Sequence, residues 1–227
     1  MEPQPLLTQK EERISTLQSL IDAGQLNQWM YELVRPYIKG NVLEIWSGEG
    51  NMSALLVQNG LPLRISDPHR RNHESLKKRF DDQPIIKGIH RIDLYNPDFE
   101  TIYDGLLGKF DTVLLLNAIE NGANDPMLWK NAKKLLWERG RLIVLLAAQT
   151  ILFEESGEGF KELYRWNRSH IKTLLGKESK LLHFFSVYEM PRSKSINLYH
   201  QQVPFFQATE DMSCYRTGLN IIAVARK

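Results

Sequence analysis

Four polar features of the sequence could form one ligand site, because each stands where a short apolar segment ends. Gly48 and Gly50 follow the first apolar segment, which itself contains the acid Glu44. A glycine-spaced turn between an apolar strand and a helix brings the backbone close to a nucleotide-like ligand. Asp67 follows the second apolar segment, 17 residues after Gly50, where a carboxylate is placed to accept hydrogen bonds from ribose hydroxyls.

The third and fourth features continue the series. Asp93 and Leu94 end the third apolar segment, an acid and an apolar residue suited to the amino group and the face of an adenine. Asn117 and Glu120 follow the fourth segment. Each feature alone is a weak indication, since acids end strands in many proteins. Their order and spacing together predict one site for an adenosine-like ligand.

Alternating strands and helices are expected to position these residues. The strands are predicted at 42–45, 63–65, 86–94, 110–116 and 140–146, and the helices at 52–59, 69–80 and from Pro126 onward. This alternation predicts stacked βαβ units and a parallel sheet. Because parallel strands present their carboxyl ends at one edge of the sheet, the four features should gather there.

Further elements are expected on both sides of this core. They are helices at 11–23 and 26–39, a loop at 152–159, a helix at 164–175, strands at 181–190 and 219–225, and a lobe or lid at 191–218. With no repeat or linker, the sequence predicts one domain over 1–227. Its expected parts are N-terminal helices in 1–40, a cofactor-binding half in 41–150 and a substrate or lid half in 151–227.

Composition narrows the class of partner. The chain has 29 basic and 27 acidic residues, a net charge of +2, so nothing calls for nucleic acid or an anionic membrane. The single cysteine, Cys214, cannot form an internal disulfide, which fits a reducing compartment. The start lacks the pattern of a secretory signal, and no apolar run approaches the roughly 20 residues that span a bilayer. We expect a cytoplasmic protein; the oligomeric state stays open.

The sequence resembles the class I S-adenosylmethionine-dependent methyltransferases, particularly those that act on small molecules. The matching segments are 41–51 for the family's first motif, 64–68 for its ribose-binding strand end, 92–94 for its adenine-binding strand end, 109–120, 135–145, 164–165 and 218–225. The resemblance implies an α/β fold, a Rossmann-like three-layer sandwich. Its seven-stranded, mostly parallel sheet would have one antiparallel strand near the edge. It also implies S-adenosylmethionine as cofactor and methyl transfer to a small-molecule acceptor.

The resemblance also implies roles for individual residues. The implied cofactor contacts are Glu44, Gly48, Gly50, Asp67, Asp93 and Leu94, with Asn117 near the methionyl end. A general base is needed only if the acceptor must lose a proton. The candidates are Glu120, His69, His73 and His170, of which Glu120 is the predicted catalytic residue. No metal site is predicted.

Trp46 departs from the family pattern, which has glycine at this position because backbone and cofactor approach closely there. Either the indole points away and forms a wall of the pocket, or it fills the place of the methionine moiety and closes the site. A second departure is Asn121, where relatives often carry a histidine. Two functions therefore stay open: an active methyltransferase, and a catalytically inactive methyltransferase-like binding protein with Trp46 occluding the cofactor site.

A dinucleotide-dependent oxidoreductase is a third alternative. Residues 48–53 nearly match the G-x-G-x-x-G/A fingerprint, with Asp67 as the ribose acid. Ser53, however, replaces the glycine or alanine that lets the helix pack closely on the strand. Glu44 and the pair at 93–94 also have no role in that scheme, so the methyltransferase reading is favoured.

Overall fold

The computed structural model describes residue 24 and residues 27–116, 125–147, 149–153, 160–165, 168–177, 179–187 and 220–227. Several expectations lie outside these ranges. They are the helix at 11–23, the residues Asn117, Glu120, Asn121 and Cys214, most of the loop at 152–159 and the lobe at 191–218.

The described chain alternates between strands and helices up to β5. The helices are α1 at 27–34, α2 at Asn51–Gln58, α3 at Arg70–Phe80, α4 at Phe99–Ile102, α5 at Pro126–Leu135 and α6 at Arg168–Leu175, with 3-10 turns at Arg35–Tyr37 and Asp104–Leu106. The strands are β1 Val42–Ile45, β2 Leu63–Ser66, β3 Ile86–His90, β4 Phe110–Leu115, β5 Leu136–Ala147, β6 Gln149–Phe153, β7 Phe160–Arg165, β8 Lys180–Val187 and β9 Asn220–Arg226. Helix α5 begins as predicted, because Asp125 caps it by accepting the Met127 N–H and Pro126 needs no hydrogen-bond partner.

Seven of these strands form one sheet in the order β3-β2-β1-β4-β5-β9-β8. Strand β1 is parallel to both β2 and β4, whereas β9 is antiparallel to its neighbours β5 and β8. The predicted seven-stranded sheet with one antiparallel strand is therefore confirmed. The chain order reverses between β1 and β4, and ligands bind at this point in open α/β sheets.

Helices cover both faces of the sheet. Leu43 and Ile45 of β1 face the layer that contains α5 and α6. Val42, one position along the strand, faces the layer of α1, α2 and α3. This alternation follows from the period of two in a β-strand. The result is the expected three-layer sandwich, and no helix among the described residues is long and apolar enough to cross a membrane.

The structure corrects two predicted elements. Strand β3 ends at His90 rather than at 94, because the main chain beyond it bonds to side chains: the Arg91 carbonyl and the Asp93 N–H to the Tyr103 hydroxyl, and the Tyr95 N–H to the Asp93 carboxylate. Tyr164 and Arg165 belong to β7 rather than to a helix, and β7 pairs with β6 as a separate antiparallel sheet. Helix α6 starts only at Arg168. Pairing between strands outweighs local helical preference at these positions.

Candidate functional site

The turn after β1 keeps the backbone shape of a glycine-rich turn. Trp46, Gly48 and Gly50 all have positive φ angles, of 59°, 56° and 81°. At Gly50 a side chain would also collide with Phe80 of α3. The turn is fixed by the Ser47 N–H, which donates to the Ser66 carbonyl at 3.0 Å. The Gly50 N–H in turn donates to the Ser47 carbonyl at 2.8 Å, so these two N–H groups of the turn are bonded within the protein.

Trp46 holds this left-handed backbone although it carries a large side chain. Such a conformation costs a non-glycine residue about 1–2 kcal/mol, so the burial of the indole must offset it. The side chain is only 5% exposed and packs in the apolar cluster between the sheet and α5. Its ring lies 6.4 Å from that of Tyr95, at an interplanar angle of 24°. The indole therefore lies beside the segment 93–95 and is covered by protein.

Glu44 supports the turn from beneath. Burial raises the pKa of its carboxyl group to about 7. The Ser53 hydroxyl donates to this carboxyl at 2.5 Å, and Ser53 is fully buried. This hydrogen bond between Glu44 and Ser53 connects β1 to the first turn of α2. Ser53, which the sequence alone did not single out as a partner, is thus accommodated between helix and strand by this hydrogen bond.

Asp67 connects the glycine turn to the start of α3. One carboxylate oxygen accepts the Gly48 N–H at 3.0 Å. The other accepts the His69 N–H at 2.9 Å and lies 3.1 Å from His69 Nδ1. The residue is 2% exposed. A ribose hydroxyl would therefore compete with internal hydrogen bonds for this carboxylate.

The segment after β3 carries the other predicted contacts. Asp93 is half-buried, whereas Leu94 is fully buried. The pKa of Tyr95 is raised to about 12 by burial and by the negative charges of Asp125 and Asp93. The tyrosine hydroxyl therefore stays protonated over the ordinary pH range.

The described candidate residues gather at the carboxyl ends of β1, β2 and β3. One hydrogen bond, from the Gly48 N–H, connects the turn at 46–50 with Asp67, and the ring contact of Trp46 with Tyr95 connects the turn with the segment 93–95. Asn117 and Glu120 are not among the described residues. Within the described ranges, no three His, Cys, Asp or Glu residues are grouped so as to hold a metal ion.

Replacing Asp67 by alanine should destabilise the fold as well as weaken ligand binding. The change leaves the N–H groups of Gly48 and His69 without their buried acceptor, at an expected cost of about 2–4 kcal/mol in the free energy of unfolding. Urea denaturation measures this loss. His69→Ala is the matched control: it removes an exposed imidazole and its contact with Asp67 but keeps both main-chain hydrogen bonds, so it should cost far less. Equal stability of Asp67→Ala and the parent protein would show that these bonds carry no net free energy.

Comparison with known proteins adds to this geometry. No protein-family profile matches the chain, and no curated protein matches it by sequence. Solved structures do match. An S-adenosylmethionine-dependent methyltransferase from Clostridium acetobutylicum is 12% identical, over 96% of this chain and 99% of that one, with a TM-score of 0.58. One from Methanosarcina mazei is 11% identical, over 87% and 97%, with a TM-score of 0.57. One from Archaeoglobus fulgidus is 13% identical, over 90% and 94%, with a TM-score of 0.56.

These identities are low, so the similarity bears on the fold alone. The similarity extends over at least 87% of this chain and at least 94% of each of these three neighbours. The chain therefore has the Rossmann-like fold of class I S-adenosylmethionine-dependent methyltransferases.

Proposed function

We propose that this chain binds S-adenosylmethionine and transfers its methyl group to a small-molecule acceptor. The proposal depends chiefly on the polar groups at three neighbouring strand ends beside the point where the strand order reverses. They are the glycine turn, Asp67 and Asp93. S-Adenosylmethionine-dependent methyltransferases are among the structures that share the fold, and they make S-adenosylmethionine the cofactor to expect.

The residues of the site fit an adenosyl group in part. The turn at Gly48 and the carboxylate of Asp93 are partly accessible, and they would hold the ribose side and the purine amino group. Asp67 would accept ribose hydroxyls only by sharing its internal hydrogen bonds. Glu44 bonds Ser53 and supports the turn. The cofactor supplies a methyl group that is already activated, so the protein's part is to orient the acceptor and exclude water.

A thermal melt with S-adenosylmethionine or its demethylated product, S-adenosylhomocysteine, tests this proposal. A ligand at one hundred times its dissociation constant stabilises the native state by about 2.7 kcal/mol. For a domain of this size the melting temperature should then rise by roughly 5–11 °C. Methionine, which lacks the adenosyl group, is the control and should not change the melting temperature. The absence of a shift at millimolar S-adenosylhomocysteine would contradict binding by the parent protein.

A methyltransferase-like binding protein without activity is the second candidate. The observation that favours it is the covered Trp46 indole, 5% exposed beside the segment 93–95. By the resemblance that segment faces the adenine, so occlusion would act on the purine half of the site rather than in the place of the methionine moiety, where the sequence led us to expect it. On this proposal the protein does not transfer a methyl group even when the acceptor is supplied. It would bind the cofactor only after the indole has been removed.

A further inference from the structure

We propose that Tyr103 and Asn131 are positioning residues for the purine half of the site. They hold the main chain at 91–94 and thereby fix the direction of the Asp93 carboxylate. The inference depends on the proposed function, because it assigns the two residues to recognition of the purine amino group. Neither residue stands at a strand end, and neither belongs to the segments that resemble the family's cofactor motifs.

Tyr103 bridges two main-chain groups with one hydroxyl. The hydroxyl donates to the Arg91 carbonyl at 3.0 Å and accepts the Asp93 N–H at 3.0 Å. Its ring is held by Phe99 of α4, with ring centroids 4.8 Å apart. Both hydrogen-bonding functions of the phenol are therefore used on either side of Ile92. This bridge takes the place of a strand ladder directly before the acid.

Asn131 of α5 holds Leu94, the residue after Asp93, in place. It is 3% exposed on the otherwise apolar face of α5, and its Nδ2 donates to the Leu94 carbonyl at 2.9 Å. Its Oδ1 accepts from Lys134 Nζ at 3.1 Å, and Lys134 pairs with Glu100 of α4 at 2.6 Å. The reversed amide would set its NH₂ against the ammonium and its oxygen against the carbonyl, so only this orientation satisfies both partners.

Together the two side chains hold three main-chain groups within four residues. Asp93 lies between them, and one of its carboxylate oxygens accepts the Tyr95 N–H at 2.9 Å. A carboxylate held in this way accepts a hydrogen bond from a purine amino group but opposes a purine carbonyl. Sites that hydrogen-bond a polar group discriminate strongly against analogues without it. The two residues should therefore set the preference for adenine over hypoxanthine.

The test compares the affinities of S-adenosylhomocysteine and S-inosylhomocysteine by calorimetry. Tyr103→Phe removes the bridge, and Asn131→Asp keeps the acceptor for Lys134 but loses the donor to Leu94. Each variant should bind the adenosyl ligand about tenfold more weakly, the size of one lost hydrogen bond. The inosyl ligand should change little, so the preference falls. Leu128→Ala, a buried change on the same helix, should lower the melting temperature and leave the preference intact.

The outcomes separate failure of the positioning role from failure of the proposed function. If the parent protein does not bind the adenosyl ligand, the same series is measured in a Trp46→Gly background. An unchanged preference in both variants, with binding retained, overturns the positioning role and leaves the proposed function standing. No binding in either background overturns the proposed function and this role with it. A lowered preference in Leu128→Ala equal to that in Tyr103→Phe would also overturn the inference, because general destabilisation would then explain it.

Discussion

If the Trp46 indole occludes the cofactor site, its replacement by glycine is expected to strengthen the binding of S-adenosylhomocysteine by at least about tenfold. The indole is almost fully covered and stacks beside Tyr95, next to the segment proposed to face the purine. Its removal frees the volume of a large side chain, and glycine adopts the observed φ of 59° without cost. Calorimetry on the parent and the variant measures the change.

The same substitution should lower the stability of the ligand-free protein. Deleting a large buried aromatic side chain costs about 3–5 kcal/mol, and relief of the left-handed strain returns about 1–2 kcal/mol. The net loss should be about 1–4 kcal/mol by urea denaturation. This combination of weaker folding and tighter binding separates occlusion from a purely structural role, which predicts that stability and affinity fall together.

Two controls sharpen the experiment. Trp46→Phe retains an aromatic ring at the position and should bind the ligand less well than Trp46→Gly. Free indole replaces the deleted side chain and should compete with S-adenosylhomocysteine in Trp46→Gly. If indole and ligand bind the variant independently, the indole of Trp46 forms a wall of the pocket rather than its plug. Unchanged affinity in Trp46→Gly would contradict occlusion directly.

Much of the fold was predictable because its signals are local. Strand β1 was predicted over the residues that form it, and β4 to within one residue, since continuous apolar runs of this kind mark central parallel strands. The start of α5 was predictable from Asp125 and Pro126, whose roles depend only on their neighbours in sequence. The ends of β1 and β2 also follow from these patterns to within one residue, whereas the end of β3 does not.

The remaining features depend on contacts between residues distant in sequence. The sequence could not say that Asp67 accepts the Gly48 N–H, or that the Trp46 indole turns towards Tyr95. Asn131 gave one signal, a polar residue among the apolar positions of α5, yet its partner Leu94 lies 37 positions away. These tertiary contacts decide whether the site is open to a ligand. The function therefore depends on contacts that local sequence patterns do not predict.

The stability of the protein should fall between pH 4.5 and 7 because of Glu44. Burial raises the pKa of this carboxyl group from 4.5 to about 7, so within that window the native state holds a proton that the unfolded state has released. The stabilisation is complete below pH 4.5 and is lost as pH rises through 7. A shift of this size corresponds to about 3 kcal/mol.

Glu44→Gln should abolish this slope in urea denaturation measured from pH 4.5 to 8. The amide oxygen still accepts from Ser53, and no charge is buried at high pH, so the variant should be the more stable protein above pH 7. His90 makes stability rise with pH instead, because burial lowers the pKa of its imidazole. Since His90 is present in both proteins, the difference in stability between parent and variant reports on Glu44. The exposed Glu100→Gln is the control and should keep the slope of the parent.

A slope that persists in Glu44→Gln would show that the carboxyl is ionised in the native state. The Ser53 hydroxyl would then bind a carboxylate, and the turn at Trp46 would stand over a buried charge rather than a neutral acid.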